Sequence, residues 1–121
     1  MARLDHGGGF LILHLSMLER FGACVSHDVR VALTAIRLVR VTEDPWSELR
    51  GLRAPGTGLR GVIALGTRRH ALGRDFAAVY RKGPAVVIEL TGVRFERIVV
   101  SAREANLVAE EIRAAAAEAQ I

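Results

Sequence analysis

A mostly β domain closed by one C-terminal α-helix is what this sequence predicts, and three observations carry that reading. Up to about residue 100, apolar residues alternate with polar ones or come in short runs, parted by glycine and proline. Beyond that point a helical period takes over: Ala105, Val108, Ala109, Ile112 and Ala116 form one apolar stripe. The chain has 121 residues, 50% hydrophobic and 25% charged, which is the composition of one globular domain with a core of its own.

The elements follow in order. Residues 1–9 end in Gly7-Gly8-Gly9 and read as a flexible lead, leaving a single domain over 10–121. Residues 10–15 are a short apolar run, the pattern of a largely buried strand, and 18–27 read as a turn or helical corner. Val29, Val31 and Leu33 alternate with Arg30, Ala32 and Thr34, a half-buried strand. Ile36, Val39 and Val41 resume the pattern out of phase, which predicts a bend or bulge near Ala35. Residues 42–45 punctuate the chain, 46–49 suit one helical turn, and 51–61 read as the longest loop. Residues 62–65 and 76–81 read as strands separated by the basic stretch 68–74. Gly83-Pro84 then turns the chain into a strand at 85–90. Thr91-Gly92 is a hairpin signal before 94–100, and a two-residue loop there would set Glu89 opposite Arg94. Ser101 with Glu104 makes a capping box, giving a helix over about 102–118.

Roughly seven antiparallel strands followed by one capping helix resemble the pleckstrin-homology-like fold, as a barrel or split barrel. The local text is similar to the small bacterial proteins of that family in Val29-Arg30-Val31-Ala32-Leu33, Gly61-Val62-Ile63-Ala64-Leu65-Gly66-Thr67, 85–90, 94–101 and the helix. The resemblance covers about residues 10–117 and implies a binding or assembly module, since fold alone fixes no ligand. Relatives that hold phosphoinositides use a basic cluster along the first two strands and their connecting loop. At the corresponding place this chain has Arg20, His27 and Arg30 beside Glu19 and Asp28, a departure that speaks against such a pocket.

Charge narrows the functional classes further. The net charge is +4, and the residues 50–82 hold eight basic side chains against Asp75 alone, whereas 101–121 are net acidic. A basic body with an acidic helix can bind anions or pair head to tail with itself. If an anion binds, Arg53, Arg60, Arg68, Arg69, Arg74 and Lys82 are the candidate residues. An acidic membrane surface fits better than nucleic acid, because Phe76 and Tyr80 are the only aromatics in that region and readers of single strands interleave several. The mean hydropathy of +0.24 is high for a lone soluble monomer and points to a homo-oligomer or a protein partner. Trp46, Leu49 and Arg50, in a short charged turn, are the candidate interface residues.

Other motifs carry less. Gly56-Thr57-Gly58-Leu59-Arg60-Gly61 spells the G-x-G-x-x-G string, but Pro55 precedes it and Val62-Ile63 follow, so no helix opens to present amides to a pyrophosphate. His6-Gly7-Gly8-Gly9 has the letters of an esterase oxyanion loop without any G-x-S-x-G elbow. Cys24 and His27 are half a metal site, with His6, His14 and His70 scattered singly. No metal and no cofactor are therefore implied, and no nucleophile–base pair is visible. The lone cysteine fits a reducing compartment, and no apolar run reaches a membrane span, so a cytoplasmic protein is expected, with a peripheral membrane position as a variant. The function expected is a non-enzymatic, self-associating interaction or assembly module. Anion binding through the basic region is the first alternative, and a small enzyme without a recognisable motif the second.

Overall fold

Short β-prone runs between glycine turns give nine strands among the described residues, and the alanine-rich tail gives the one long helix. The computed structural model describes residues 2–23, 25 and 27–120, with 52–57 described by backbone alone. The elements are β1 (Arg3–Gly7), β2 (Phe10–His14), α1 (Met17–Ala23), β3 (Val29–Ala32), β4 (Ile36–Thr42), β5 (Leu52–Leu59), β6 (Ile63–His70), β7 (Gly73–Tyr80), β8 (Ala85–Leu90), β9 (Arg97–Ser101) and α2 (Ala105–Ala119). Single 3-10 turns occupy Leu33–Ala35 and Pro45–Glu48.

Two sheets result: β1-β2-β3, and a six-stranded sheet in the order β4-β8-β9-β7-β6-β5. The expected mostly β chain with a C-terminal helix is thus what forms. The sheets do not close into one barrel, and the expectation of about seven antiparallel strands gives way to nine strands with a parallel pair, β7 and β9. The expected bend at Ala35 is the 3-10 turn, followed by a register shift between Ile36 and Leu38.

Several boundaries differ, each for a local reason. The expected lead contains β1, which folds back on β2 because Gly8 and Gly9 take positive φ of 59° and 85° in the turn. Where 51–61 reads as a loop, β5 pairs along β6, broken only between Arg53 and Gly56 around Pro55, which has no amide to donate. The basic stretch 68–74 is not a separator: β6 and β7 run through it and turn over residues 71–72. Glu89 faces Arg97 rather than Arg94, since the β8–β9 connection spans 91–96 instead of two residues. The capping box at Ser101 does not form either. Ser101 ends β9, its hydroxyl accepts the Tyr80 amide at 2.9 Å, and α2 starts at Ala105 without a side-chain cap.

The six-stranded sheet buries both faces, as period-2 alternation allows. One face carries Leu65, Phe76, Ala78, Val86, Ile88, Leu90, Ile98 and Val100, packed with Leu11, Leu13, Val29 and Val31 of the small sheet. The stripe Ala105, Ala109, Ile112 and Ala116 of α2 is buried as its spacing requires, over β4 and β8, while α1 lies against β5 and β6. The apolar side chains of the other face are small, Ala64, Ala77, Val79, Ala85, Val87 and Val99, with Trp46 and Leu49 packed on them, and Asp75, Glu89 and Arg97 follow in the same alternation.

Candidate interaction surface

Trp46 reaches that second face because Pro45 opens a 3-10 turn with its φ already set, and the Ser47 hydroxyl donates to the Asp44 carbonyl at 2.8 Å. The indole lies half-buried over the alanines and valines, and its Nε1 donates to the Arg81 carbonyl at 2.8 Å. Leu49 is half-buried beside it. Arg50 is spoken for: Nε and Nη2 form a two-pronged pair with the Asp75 carboxylate at 2.8 and 2.7 Å. Asp75 is 2% exposed and also accepts from His70 Nε2 at 2.9 Å, while His70 Nδ1 accepts the Leu72 amide, which fixes that imidazole's tautomer. The pairing raises the Arg50 pKa above its ordinary value.

Beside this cluster, Arg40 grips Glu48 through two bonds of 2.9 and 2.6 Å and reaches Glu89 at 3.2 Å. Arg97 Nε donates to Glu89 at 2.9 Å and Arg97 Nη1 to the Glu48 carbonyl at 2.9 Å. Hydrogen bonding to Arg40 holds the Glu48 carboxyl below its usual range. Burial pushes Glu89 up, but the bonds from Arg97 and Arg40 outweigh it and hold Glu89 low as well. These arginines tie segment 45–50 to the sheet.

The six candidate anion residues do not gather on one face. Arg68 turns inward to bond the Arg50 and Gly51 carbonyls at 3.1 and 3.0 Å, while its neighbour Arg69 is exposed on the opposite side, as strand alternation demands. Arg74, half-buried, is the register partner of Arg69. Arg60 and Lys82 are exposed and do meet, at a cleft of about 380 Å³ lined also by Glu43, Asp44 and Trp46. The Arg53 side chain lies outside the described residues, as does Cys24. Among the described residues no group of three or more histidines, cysteines or carboxylates is placed to hold a metal, and no helix is long and apolar enough to cross a membrane.

Helix α1 forms where residues 18–27 read as a turn or helical corner, and the capping box that starts it is the feature that sequence reasoning missed. Its signal was present in Ser16-Met17-Leu18-Glu19: the Ser16 hydroxyl accepts the Glu19 amide at 3.1 Å, and Glu19 Oε1 accepts the Ser16 amide at 2.9 Å. Glu19 is buried and takes a second bond from the Tyr80 hydroxyl, whose pKa is raised by burial and by that carboxylate. With the helix pinned this way, Met17, Leu18 and Phe21 point outward at 85%, 84% and 84% exposure. Tyr80 pairs with Ile63, so α1 sits at the end of the sheet where the turn 60–62 lies. That turn adds exposed Leu59 and Val62, and the Arg81 amide bonds the Val62 carbonyl, which brings Arg81 and Lys82 alongside Arg60. The result is an exposed apolar helix at the end of the sheet that also carries Arg60, Arg81 and Lys82.

At the opposite character stands the outer side of α2. Leu107 is 56% exposed, and Glu110 and Glu111 follow at i+3 and i+4 on the same helical face. Compared with protein-family models, curated proteins and solved structures, the chain matches none.

Proposed function

We propose that this chain is a non-enzymatic assembly module that associates with copies of itself head to tail, the tip of α1 on one copy meeting the outer face of α2 on the next. The observation that carries the reading is the exposure of Met17, Leu18 and Phe21 on a helix held rigidly by its cap and by Tyr80. Burying one such side chain is worth about 1.5–3 kcal/mol, so three on a fixed helix are a ready contact. Charge supplies the direction, for Arg60, Arg81 and Lys82 lie at the same end of the sheet as α1 and Glu110 and Glu111 flank Leu107. A contact between two different faces is heterologous and builds rings or filaments rather than a closed two-fold dimer.

The pleckstrin-homology-like resemblance agrees with this role, since that family's members are binding and assembly modules. A β-rich body with one long C-terminal helix supports it, while the parallel β7–β9 pair and the unclosed sheets depart from its pattern. A second reading, docking on an acidic membrane surface, is favoured by the exposed cations Arg60, Arg81 and Lys82 at the same end of the sheet as the apolar helix. Nucleic acid is less favoured, because Phe76 is fully buried and the Tyr80 hydroxyl is taken by Glu19.

Sedimentation velocity across a concentration series tests the proposal. The chain should form species larger than a monomer, and Met17→Ser with Leu18→Ser and Phe21→Ser should weaken their assembly at least tenfold. Charge-reversed tips (Arg60→Glu, Lys82→Glu) and charge-reversed helices (Glu110→Arg, Glu111→Arg) should each assemble poorly alone and recover when mixed. A monomer at every concentration would sink the idea, and binding of that monomer to anionic vesicles would favour the membrane reading.

A further inference from the structure

A second site lies where β2, β3, the end of α1 and the loop 91–96 meet around a cleft of about 520 Å³. Three arginines line it, Arg20, Arg30 and Arg94, together with His14 and His27, and the one carboxylate among the lining residues is Asp28. That carboxylate is already saturated: it accepts the Leu15 amide at 2.8 Å, Arg20 Nη2 at 3.0 Å and His14 Nδ1 at 3.0 Å. It therefore neutralises one arginine and leaves two. Arg20 keeps its Nε buried in the fold with no hydrogen-bond partner, a cost unless something else accepts from it.

Arg30 and Arg94 are held by rings rather than by acids. The Arg30 guanidinium stands 5.2 Å from the Phe10 centroid and that of Arg94 4.9 Å from the Phe95 centroid. Neither forms an ion pair with a carboxylate among the described residues. Stacking on a ring fixes the guanidinium plane and leaves its N–H edge for a planar or tetrahedral oxyanion. With Ile12, Val25, Val29 and Phe95 as apolar wall, the cleft offers net positive charge at one side and room for an organic substituent at the other. Its volume falls in the range of about 300–1,000 Å³ typical of small-molecule sites.

We infer that this cleft binds a phosphate monoester, whose two negative charges answer Arg30 and Arg94 and whose organic group lies against the apolar wall. Read in sequence, Glu19 and Asp28 beside Arg20, His27 and Arg30 speak against such a pocket, but the fold turns Glu19 to Tyr80, engages Asp28 and adds Arg94. The site uses none of Met17, Leu18 and Phe21, so it stands or falls apart from the assembly proposal. The monoester can be a soluble metabolite or the exposed head of a lipid, and the experiment separates the two.

Isothermal titration of the full chain with glycerol 3-phosphate and phenyl phosphate reads the soluble source. Co-sedimentation with vesicles containing phosphatidic acid, against vesicles of equal charge made with phosphatidylglycerol, reads the lipid source. Saturable binding in either arm supports the site, and the arm that responds names the source. Arg30→Ala with Arg94→Ala should weaken it at least tenfold, since each removes a charge-assisted hydrogen bond to the phosphate. Arg69→Ala, on an exposed position of the β6–β7 hairpin, should leave it unchanged. Arg94→Gln alone, in a loop and exposed, gives the same direction with less disturbance of the sheet. No saturable binding in both arms would overturn the inference. So would equal losses from the Arg69 and the Arg30/Arg94 variants, because the attraction would then be that of a generally basic surface.

Discussion

Asp75 is the most deeply buried of the carboxylates on which neighbouring groups converge. It is buried, takes both prongs of Arg50 and the Nε2 of His70, and Arg50 in turn offers its carbonyl to Arg68. Asp75→Asn keeps the shape but removes the charge, leaving Arg50 half-buried without its counterion. Breaking a buried pair from one side costs about 3–5 kcal/mol, and chemical denaturation of the variant should show a loss toward the lower end of that range. Gly51, the next residue along, admits no side chain: its φ is +72° and a Cβ would lie 2.0 Å from the Arg69 carbonyl oxygen. Asp28 makes a different kind of statement, about pH. The Leu15 amide first, then Arg20 and His14, pull its pKa from 3.8 down to about 2. A carboxylate lowered in the folded state stabilises above its unfolded pKa and loses that contribution as pH falls through the folded value. Asp28→Asn should therefore flatten the acid limb between about pH 4 and pH 2, a difference of about 1–2 kcal/mol readable in urea titrations against pH.

Two Ser-x-x-Glu strings lie in this chain, and only one caps a helix. In Ser16–Glu19 the chain leaves β2 at a buried Leu15, so both reciprocal bonds form and α1 begins. In Ser101–Glu104 the serine is still in β9, facing the Tyr80 amide, and the helix starts later. Ser16→Ala should cost about 1 kcal/mol and loosen α1, seen as faster amide exchange over 17–23. The same comparison explains the strand pairs. Arg94 and Arg97 are both arginines within reach of Glu89 in sequence, and the length of loop 91–96 decides for Arg97. Periodicity located β8, β9 and the buried face of α2 to within a few residues, because those segments follow one period over their whole length. β5 escaped it, since Gly56, Gly58 and Pro55 write turn chemistry into a strand that lies at the sheet's edge, where such residues are tolerated.

The six-stranded sheet separates two chemistries by its faces. One side is a deep aliphatic core shared with the small sheet and both helices, and the other joins a thin layer of alanine and valine to buried ion pairs of Asp75 and Glu89, under segment 45–50. Trp46 is the largest side chain of that cover, so Trp46→Ala should destabilise the fold by about 2–3 kcal/mol, less than a fully buried tryptophan would. Intrinsic fluorescence cannot follow that variant, and circular dichroism in urea can. The two proposed surfaces share α1 but use different side chains of it: Met17, Leu18 and Phe21 for assembly, and Arg20, with β2, β3 and loop 91–96, for the anion cleft.

Sequence was enough for the local matters: a β-rich chain, a bend at Ala35 and one alanine stripe on a C-terminal helix. These depend on residues close together in the chain, where the 2.0 and 3.6 periods act directly. What only the tertiary structure decided is which charges meet. Arg94 joins Arg20 and Arg30 across more than sixty positions, Arg50 finds Asp75, and Arg68 and Arg69 part to opposite sides. Such meetings follow from strand order and loop length, and the hydrophobic pattern that drives folding fixes which face a residue takes without fixing what stands opposite it.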